Sequence, residues 1–105
     1  MASAGGFNSE YGLAFLQHTI SNTALSLADI GFTADDINNA SSVMISVTGN
    51  PIRFSTVQGD TPTTSSGNYV GVGSLVRITG FDITNLLLIR ATGSDASAAI
   101  TLNTL

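Results

Sequence analysis

Few side chains in this sequence could carry out chemistry. The chain has one histidine, His18, and contains no cysteine, tryptophan or lysine. A zinc site needs several His, Cys or carboxylate ligands, and a serine or threonine nucleophile needs a base, which only His18 could supply. His18 lies between Gln17 and Thr19 in a segment with strand periodicity. We expect it to share a face with Leu16 and Ile20 as a half-buried structural residue.

The carboxylates do not form an acid/base or metal-binding constellation either. Asp35 and Asp36 are the one adjacent pair, and neighbouring helical side chains point apart. Thr33, three residues before Asp36, predicts a helix N-cap followed by acidic residues that favour the positive end of the helix dipole. No Gly-x-Ser-x-Gly elbow or dinucleotide-binding glycine motif is present. The sequence therefore predicts that this protein is not an enzyme and binds no cofactor, metal or small-molecule substrate.

The charge distribution argues against nucleic acid and anionic membranes as partners. The formal net charge is −4, and the basic residues are Arg53, Arg77 and Arg90. Three dispersed arginines cannot neutralise several phosphates on one face. Charged residues make up 10% of the chain, against about 25% in a typical soluble domain. Such a surface is covered by hydroxyls, amides and apolar atoms, which favours a protein that functions packed against neighbours.

The elements that must position these residues are short strands separated by Gly-, Ser-, Thr- and Asn-rich turns. We predict an all-β fold, an antiparallel, jelly-roll-like β-sandwich of about seven or eight short strands with one short helical turn, and a small closed barrel is the alternative. The predicted strands are 13–20, 23–27, 42–48, 52–56, 69–72, 75–79, 86–91 and 98–102. The helical turn is expected over Ala34–Asn39. The turn Gly49–Asn50–Pro51 predicts a hairpin between strands 42–48 and 52–56.

Two segments outside the strands are candidate contact devices. Residues 1–12 are predicted to form a flexible N-terminal arm that precedes a single domain at 13–105. Phe7 and Tyr11 would anchor this arm on a partner, since aromatic side chains supply large apolar contact areas.

The second segment is the polar loop 58–68, whose candidate contact residues are Asp60, Thr61 and Pro62. Loops of this length in compact domains are often functional. Arg53 and Arg77 complete the predicted contact set, because arginine is enriched and lysine depleted at interfaces. The start of the chain lacks the features of a secretion signal, and no apolar run is long enough to span a bilayer.

Several of these pieces, in this order and spacing, resemble a family of small virion proteins from tailed bacteriophages. The specific part is Ile-Arg-Phe, then Thr-Pro-Thr, then Ile-Arg-Ala-Thr-Gly. The matching segments, from about Leu13 to the end, are Ile20–Leu25, Val47–Phe54, Gly59–Thr63, Gly67–Leu75 and Ile89–Ser94. Members of this family look like β-sandwich decoration or cement proteins of the phage head.

The resemblance implies a capsid decoration protein that binds and stabilises the assembled lattice of the major capsid protein. It would be a homotrimer around a local three-fold axis on the capsid surface of the virion, after synthesis in the host cytoplasm. The alternative is a module of the neck, tail, fibre or spike that binds host glycans. Such sites usually present aromatic platforms, for which this chain offers Tyr11 and Tyr69 but no tryptophan.

Overall fold

The computed structural model describes residues 11–105, without the side chains of Phe81 and Asp82. The elements within this range are β1 (Tyr11–Ile20), β2 (Leu25–Ser26), α1 (Leu27–Ile30), α2 (Ala34–Asn39), β3 (Ser42–Thr48), β4 (Ile52–Ser55), β5 (Asn68–Val70), β6 (Leu75–Thr79), a 3₁₀ helix (Gly80–Asn85), β7 (Leu87–Arg90) and β8 (Ala96–Thr104).

The strands form two four-stranded sheets in which all neighbouring strands are antiparallel. Sheet A has the order β1-β8-β3-β6, and sheet B has the order β2-β7-β4-β5. The prediction of an all-β, antiparallel fold is confirmed. The strands lie in two separate sheets rather than in one closed barrel, and the arrangement is sandwich-like.

The hydrophobic core follows from the two-residue periodicity of the strands. Val43, Ile45 and Val47 of β3 are fully buried, because alternate side chains of a strand point to the same side. In the neighbouring strand β8, Ile100 lies opposite Ile45 and Ala98 lies opposite Val47. The core-facing residues of sheet B are Leu25, Ile52, Phe54, Val70 and Leu88.

Short helical segments cover one part of the core, and the sequence predicts only one of them. The helix Ala34–Asn39 has the predicted bounds, and the Thr33 hydroxyl accepts a hydrogen bond from the Asp36 backbone N–H at 3.2 Å. The predicted strand 23–27 is wrong beyond Leu25–Ser26, because a second capping motif starts α1 at Leu27. The 3₁₀ helix after β6 is also absent from the sequence-based prediction.

The predicted hairpin between β3 and β4 is wrong. β3 pairs with β8 on one side and with β6 on the other, so both of its edges are occupied within sheet A. β4 lies in sheet B between β7 and β5. The turn Gly49–Asn50–Pro51 therefore carries the chain from one sheet to the other.

The boundary of the predicted arm also moves. Tyr11 and Gly12, which the sequence assigns to the arm, belong to β1, where Tyr11 lies opposite Thr104 of β8. Phe7 and the rest of residues 1–10 lie outside the described residues.

Candidate interaction surfaces

The groups that could do chemistry are dispersed over the described part of the chain. His18 lies half-buried on the core-facing side of β1, as predicted from its spacing to Leu16 and Ile20. Among residues 11–105, no group of three or more His, Cys, Asp or Glu side chains is close enough to hold a metal ion. Arg90 forms an ion pair with Asp95 at 2.6 Å, and their side chains are 22% and 50% exposed. Within this range, these positions give no constellation for acid/base or nucleophilic catalysis.

Two shallow clefts are present in the described structure. One, of about 260 Å³, lies between α2 and the 3₁₀ helix and is lined by Ile37, Asn38, Ala40, Gly80, Ile83 and Thr84. The other, of about 430 Å³, is lined by Asn22, Ala24, Thr61, Pro62, Thr63, Thr64 and Ile89. Neither of these clefts is lined by a charged side chain, so they offer apolar contact and hydroxyl and amide groups only. No helix in the described range is long and apolar enough to cross a membrane.

The outward-facing side chains of sheet A form a nearly uncharged surface, which we call the A-face. Its members alternate with the buried residues of their strands and lie opposite one another across the sheet. They are Phe15, Gln17 and Thr19 of β1, Ser97, Ala99 and Thr101 of β8, Met44, Ser46 and Thr48 of β3, and Leu75 and Arg77 of β6. Arg77 is the one charged residue in this set.

Two large apolar side chains stand at opposite margins of the A-face. Phe15 of β1 is 60% exposed and Leu75 of β6 is 65% exposed. The strands between them present small residues, among them Ala99 and Ser46, which lie in one row with Leu75.

Residues 58–67, which we call the strap, pack instead against part of the outer surface of sheet B. Arg53 of β4 holds the strap, because its Nε donates to the carbonyl oxygen of Thr64 at 3.3 Å and its Nη1 donates to that of Gly67 at 3.1 Å. The guanidinium also lies 5.3 Å from the ring centroid of Tyr69, within range of a cation–π contact.

Close packing fixes the same segment. Pro62 is buried, and Ile89, on the outer side of β7, is only 5% exposed and contributes to the cleft beside the strap. Gly67 has φ +132°, and a Cβ at this position would lie 3.1 Å from the Pro62 Cβ and 3.3 Å from the Arg53 Cβ. The predicted polar loop is therefore a segment packed against sheet B.

The structure does not bring the predicted contact residues into one patch. Arg53 holds the strap and Pro62 is a buried residue of it, whereas Asp60 and Thr61 are exposed on it. Arg77 lies on the outer side of the other sheet. Tyr11, 62% exposed, begins β1.

Sequence reasoning missed Phe15 and Leu75. Phe15 is out of phase with the core-facing Leu16 and Ile20, which could have identified it as an exposed aromatic residue. Leu75 begins a strand whose buried residue is Ile78, three positions later, so alternation places the two on opposite sides.

The capping motif of α1 lowers the pKa of a carboxyl group. Asp29 Oδ2 accepts a hydrogen bond from the Ser26 backbone N–H at 3.0 Å, and the Ser26 hydroxyl accepts one from the Asp29 N–H at 3.1 Å. Hydrogen bonding by the Ser26 backbone and then by its hydroxyl lowers the pKa of Asp29. This carboxylate stabilises a helix end and has no catalytic geometry.

Comparisons with protein-family models, with curated proteins and with solved structures find no significant match to this chain.

Proposed function

We propose that this chain is a virion structural protein of a tailed bacteriophage, a non-enzymatic capsid decoration protein that binds the assembled lattice of the major capsid protein. The observation that carries the proposal is the A-face, an outward sheet surface with exposed Phe15 and Leu75 and a single charged residue, Arg77. Among the described residues, no group of three or more His, Cys, Asp or Glu side chains is placed to hold a metal ion.

The A-face carries three residue types that are common at the centre of protein interfaces, among small polar residues. Charged residues are depleted at the centre of protein interfaces, whereas aromatic residues, Met and Arg are enriched. Phe15, Met44 and Arg77 supply these three residue types in one row across the sheet. Burying Phe15 and Leu75 against a partner would remove their apolar surface from water, which stabilises a complex by about 25 cal/mol for each Å² buried.

The strand orders support a jelly-roll arrangement, which we propose for this sandwich-like fold. Eight antiparallel strands divide into two sheets of four, and the first and last strands are neighbours in sheet A. The orders β1-β8-β3-β6 and β2-β7-β4-β5 are compatible with a double-sheet jelly roll, an architecture used by viral capsid and lectin domains. This likeness of architecture does not by itself indicate whether the chain is a capsid protein or a lectin.

A decoration protein would act by mass action. A ligand that binds the assembled lattice and not its separate subunits raises the stability of the assembled state. Contacts through a small face with a single charged residue would be individually weak and would sum over the many equivalent sites of a capsid. The three-fold arrangement of the protein on that lattice remains a prediction.

The test is binding to mature capsids of the same phage that were assembled without this protein. We expect saturable binding and a rise in the temperature at which the capsids release their DNA. Leu75→Lys should weaken binding about tenfold or more, because the ammonium group would be desolvated in the interface. Val57→Lys is the matched control, since Val57 is 60% exposed and follows β4 of sheet B.

Two results would count against the proposal. One is the absence of saturable binding at high concentrations of the protein. The other is an equal loss of binding in Leu75→Lys and Val57→Lys, which would mean that capsid binding does not depend on the A-face.

A neck, tail or spike module that binds host glycans is the second candidate. Tyr69 favours it, because this ring is 59% exposed and lies beside Arg53, which holds the hydroxyl-rich strap. A glycan-array signal that is lost in Tyr69→Ala and retained in Leu75→Lys would support this candidate over the first.

A further inference from the structure

The four edge strands of the two sheets differ in length and charge. The edges of sheet B are β2, of two residues, and β5, of three residues. The edges of sheet A are β6, of five residues including Arg77, and β1, of ten residues. An edge strand presents unpaired backbone N–H and C=O groups, and a longer edge offers more of them.

β1 lacks most of the devices that protect edge strands from pairing. Natural sheets blunt their edges with charged side chains, proline, bulges or very short strands. Residues Tyr11–Ile20 contain no Asp, Glu, Lys, Arg or Pro. The register shift between Gly12 and Ala14 interrupts the pairing near the start of β1 and leaves Ala14–Ile20 as a regular stretch of seven residues.

The core is also incompletely covered along β1. Leu13, Ala14 and Leu16 pack against the core but remain partly exposed. In the adjacent strand β8, Ile100 and Leu102 are fully buried. Within the described residues, no strand lies beyond β1 to cover this margin of the sandwich.

We propose that β1 pairs antiparallel with β1 of a second copy of this chain, so that two A sheets join into one continuous eight-stranded sheet. Each strand would satisfy the free backbone groups of the other, as in strand addition to an exposed sheet edge. The added strand would also cover the partly exposed side chains of Leu13, Ala14 and Leu16.

The absence of charged residues in β1 favours a second copy as the occupant of this edge, and it favours pairing through β1 over pairing through β6. A two-fold interface brings the same patch of both copies together, so a charged residue near the axis meets its own copy. β1 has no Asp, Glu, Lys or Arg to repel its copy, whereas a β6 pair would bring two Arg77 side chains close together. Like charges on directly opposed strands are destabilising.

The two-fold axis of such a pair is perpendicular to the sheet, so both A-faces lie on the same side. A pair would then present twice the surface area that we propose as the capsid contact. Linked binding surfaces gain avidity when both can engage the same lattice. The pairing itself does not depend on the proposed function.

The experiment measures self-association of the purified chain without capsids. Sedimentation equilibrium over a concentration series should show a monomer–dimer equilibrium. Phe15→Lys should shift this equilibrium to monomer, because a lysine on an edge strand disfavours pairing with another strand. Leu75→Lys is the matched control, since Leu75 has similar exposure on the same face but lies on β6. The Leu75→Lys variant should dimerise as wild type does. Circular dichroism establishes that both variants remain folded.

A second measurement uses the absence of native cysteine. Gln17→Cys places one thiol at the centre of Ala14–Ile20, and Leu75→Cys places one on β6. A short bismaleimide should link Gln17→Cys into covalent dimers and should leave Leu75→Cys monomeric.

Three results would overturn the pairing. They are a monomer at all concentrations, equal cross-linking of both cysteine variants, and a trimer that Phe15→Lys leaves unchanged. Because capsid binding is assayed separately with Leu75→Lys and Val57→Lys, failure of the pairing can be distinguished from failure of the proposed function.

Discussion

Arg53 and Gly67 show how two residues fix an otherwise polar loop. The planar guanidinium of Arg53 reaches two carbonyl oxygens of the strap and the Tyr69 ring, a combination that a lysine ammonium group cannot reproduce with the same geometry. Gly67 lets the strap approach β4 closely because it has no Cβ. A partner that engaged the Arg53 guanidinium would have to compete with these bonds, so its contacts within the chain are part of the environment that any partner would meet.

Gly67→Ala should destabilise the protein by about 2–4 kcal/mol. The positive φ costs about 1–3 kcal/mol for a residue with a Cβ, and the new methyl group would also meet Pro62 and the carbonyl oxygen of Phe54 at 3.2 Å. Gly59→Ala is the control, because Gly59 has φ +80° but no atom within 4 Å of the place where a Cβ would lie. Urea unfolding monitored by circular dichroism measures both changes. Equal losses in the two variants would mean that the strap is not closely packed at Gly67.

At the scale of elements, the two Ser/Thr-x-x-Asp motifs set where the helices begin. Ser26 ends β2 after two residues and starts α1, and Thr33 starts α2. In the Ser26 motif, the Ser26 hydroxyl and the Asp29 carboxylate each accept a hydrogen bond from a backbone N–H. In the Thr33 motif, the hydroxyl accepts a hydrogen bond from the Asp36 N–H. Local hydrogen bonding therefore outweighs the strand propensity of the preceding residues.

Asp29→Asn should lower stability at neutral pH and have less effect in acid. The pKa of Asp29 is lowered in the folded state. The stability that its carboxylate contributes is therefore present above the ordinary pKa of 3.8 and is lost as pH falls through the lower folded pKa. Asparagine keeps an oxygen acceptor for the Ser26 N–H but loses the charge. The stability difference between wild type and Asp29→Asn, measured by thermal unfolding, should shrink below about pH 3.8. A difference that stays constant from neutral pH to about pH 2 would contradict this account.

The strands with clear alternation could be predicted from the sequence, whereas their partners could not. Ser42–Thr48 and Leu75–Thr79 have the predicted bounds, because each alternates between apolar and polar residues and ends at a turn. The predicted pairing of Ser42–Thr48 is wrong because a turn such as Gly49–Asn50–Pro51 fixes only a change of direction. Which sheet the chain enters next depends on whether β8 and β6, distant in sequence, occupy the edges of β3.

The candidate surface was less predictable than the fold. Sequence reasoning identified Arg77 but assigned it to one set with Arg53, although the two lie on the outer sides of different sheets. Alternation along β1 indicates that Phe15 is exposed, but a single sequence does not encode which residues of the other strands lie beside it. Phe15 therefore became a candidate only once its row through Thr101, Met44 and Arg77 was known.

For the whole molecule, stability depends on one core shared by both sheets. Ile45 and Ile100 lie opposite each other in sheet A, and Ile52 and Leu88 belong to the same core from sheet B; all four are fully buried. The long-range pairing of β1 with β8 joins segments about 80 residues apart, as between Gln17 and Ser97. Such non-local contacts favour slow, cooperative folding.

Ile45→Ala should cost about 2–5 kcal/mol, because a large side chain at the centre of a closed core would leave a cavity. Met44→Ala is the control on the same strand, since Met44 points outward and is half-buried on the A-face. We expect its cost to be clearly smaller in guanidinium unfolding. A cost for Met44→Ala that matches that of Ile45→Ala would mean that the A-face is itself covered in the isolated protein.

The position of β8 within sheet A has a consequence for biosynthesis. β8 is the last of the eight strands to leave the ribosome, yet it lies between β1 and β3. Until it emerges, those two strands lack the neighbour that they share, and the apolar residues of β1 and β3 face solvent in the nascent chain. Sheet A can thus be completed only after translation of β8, and exposed apolar strands in an unfinished chain are prone to aggregation.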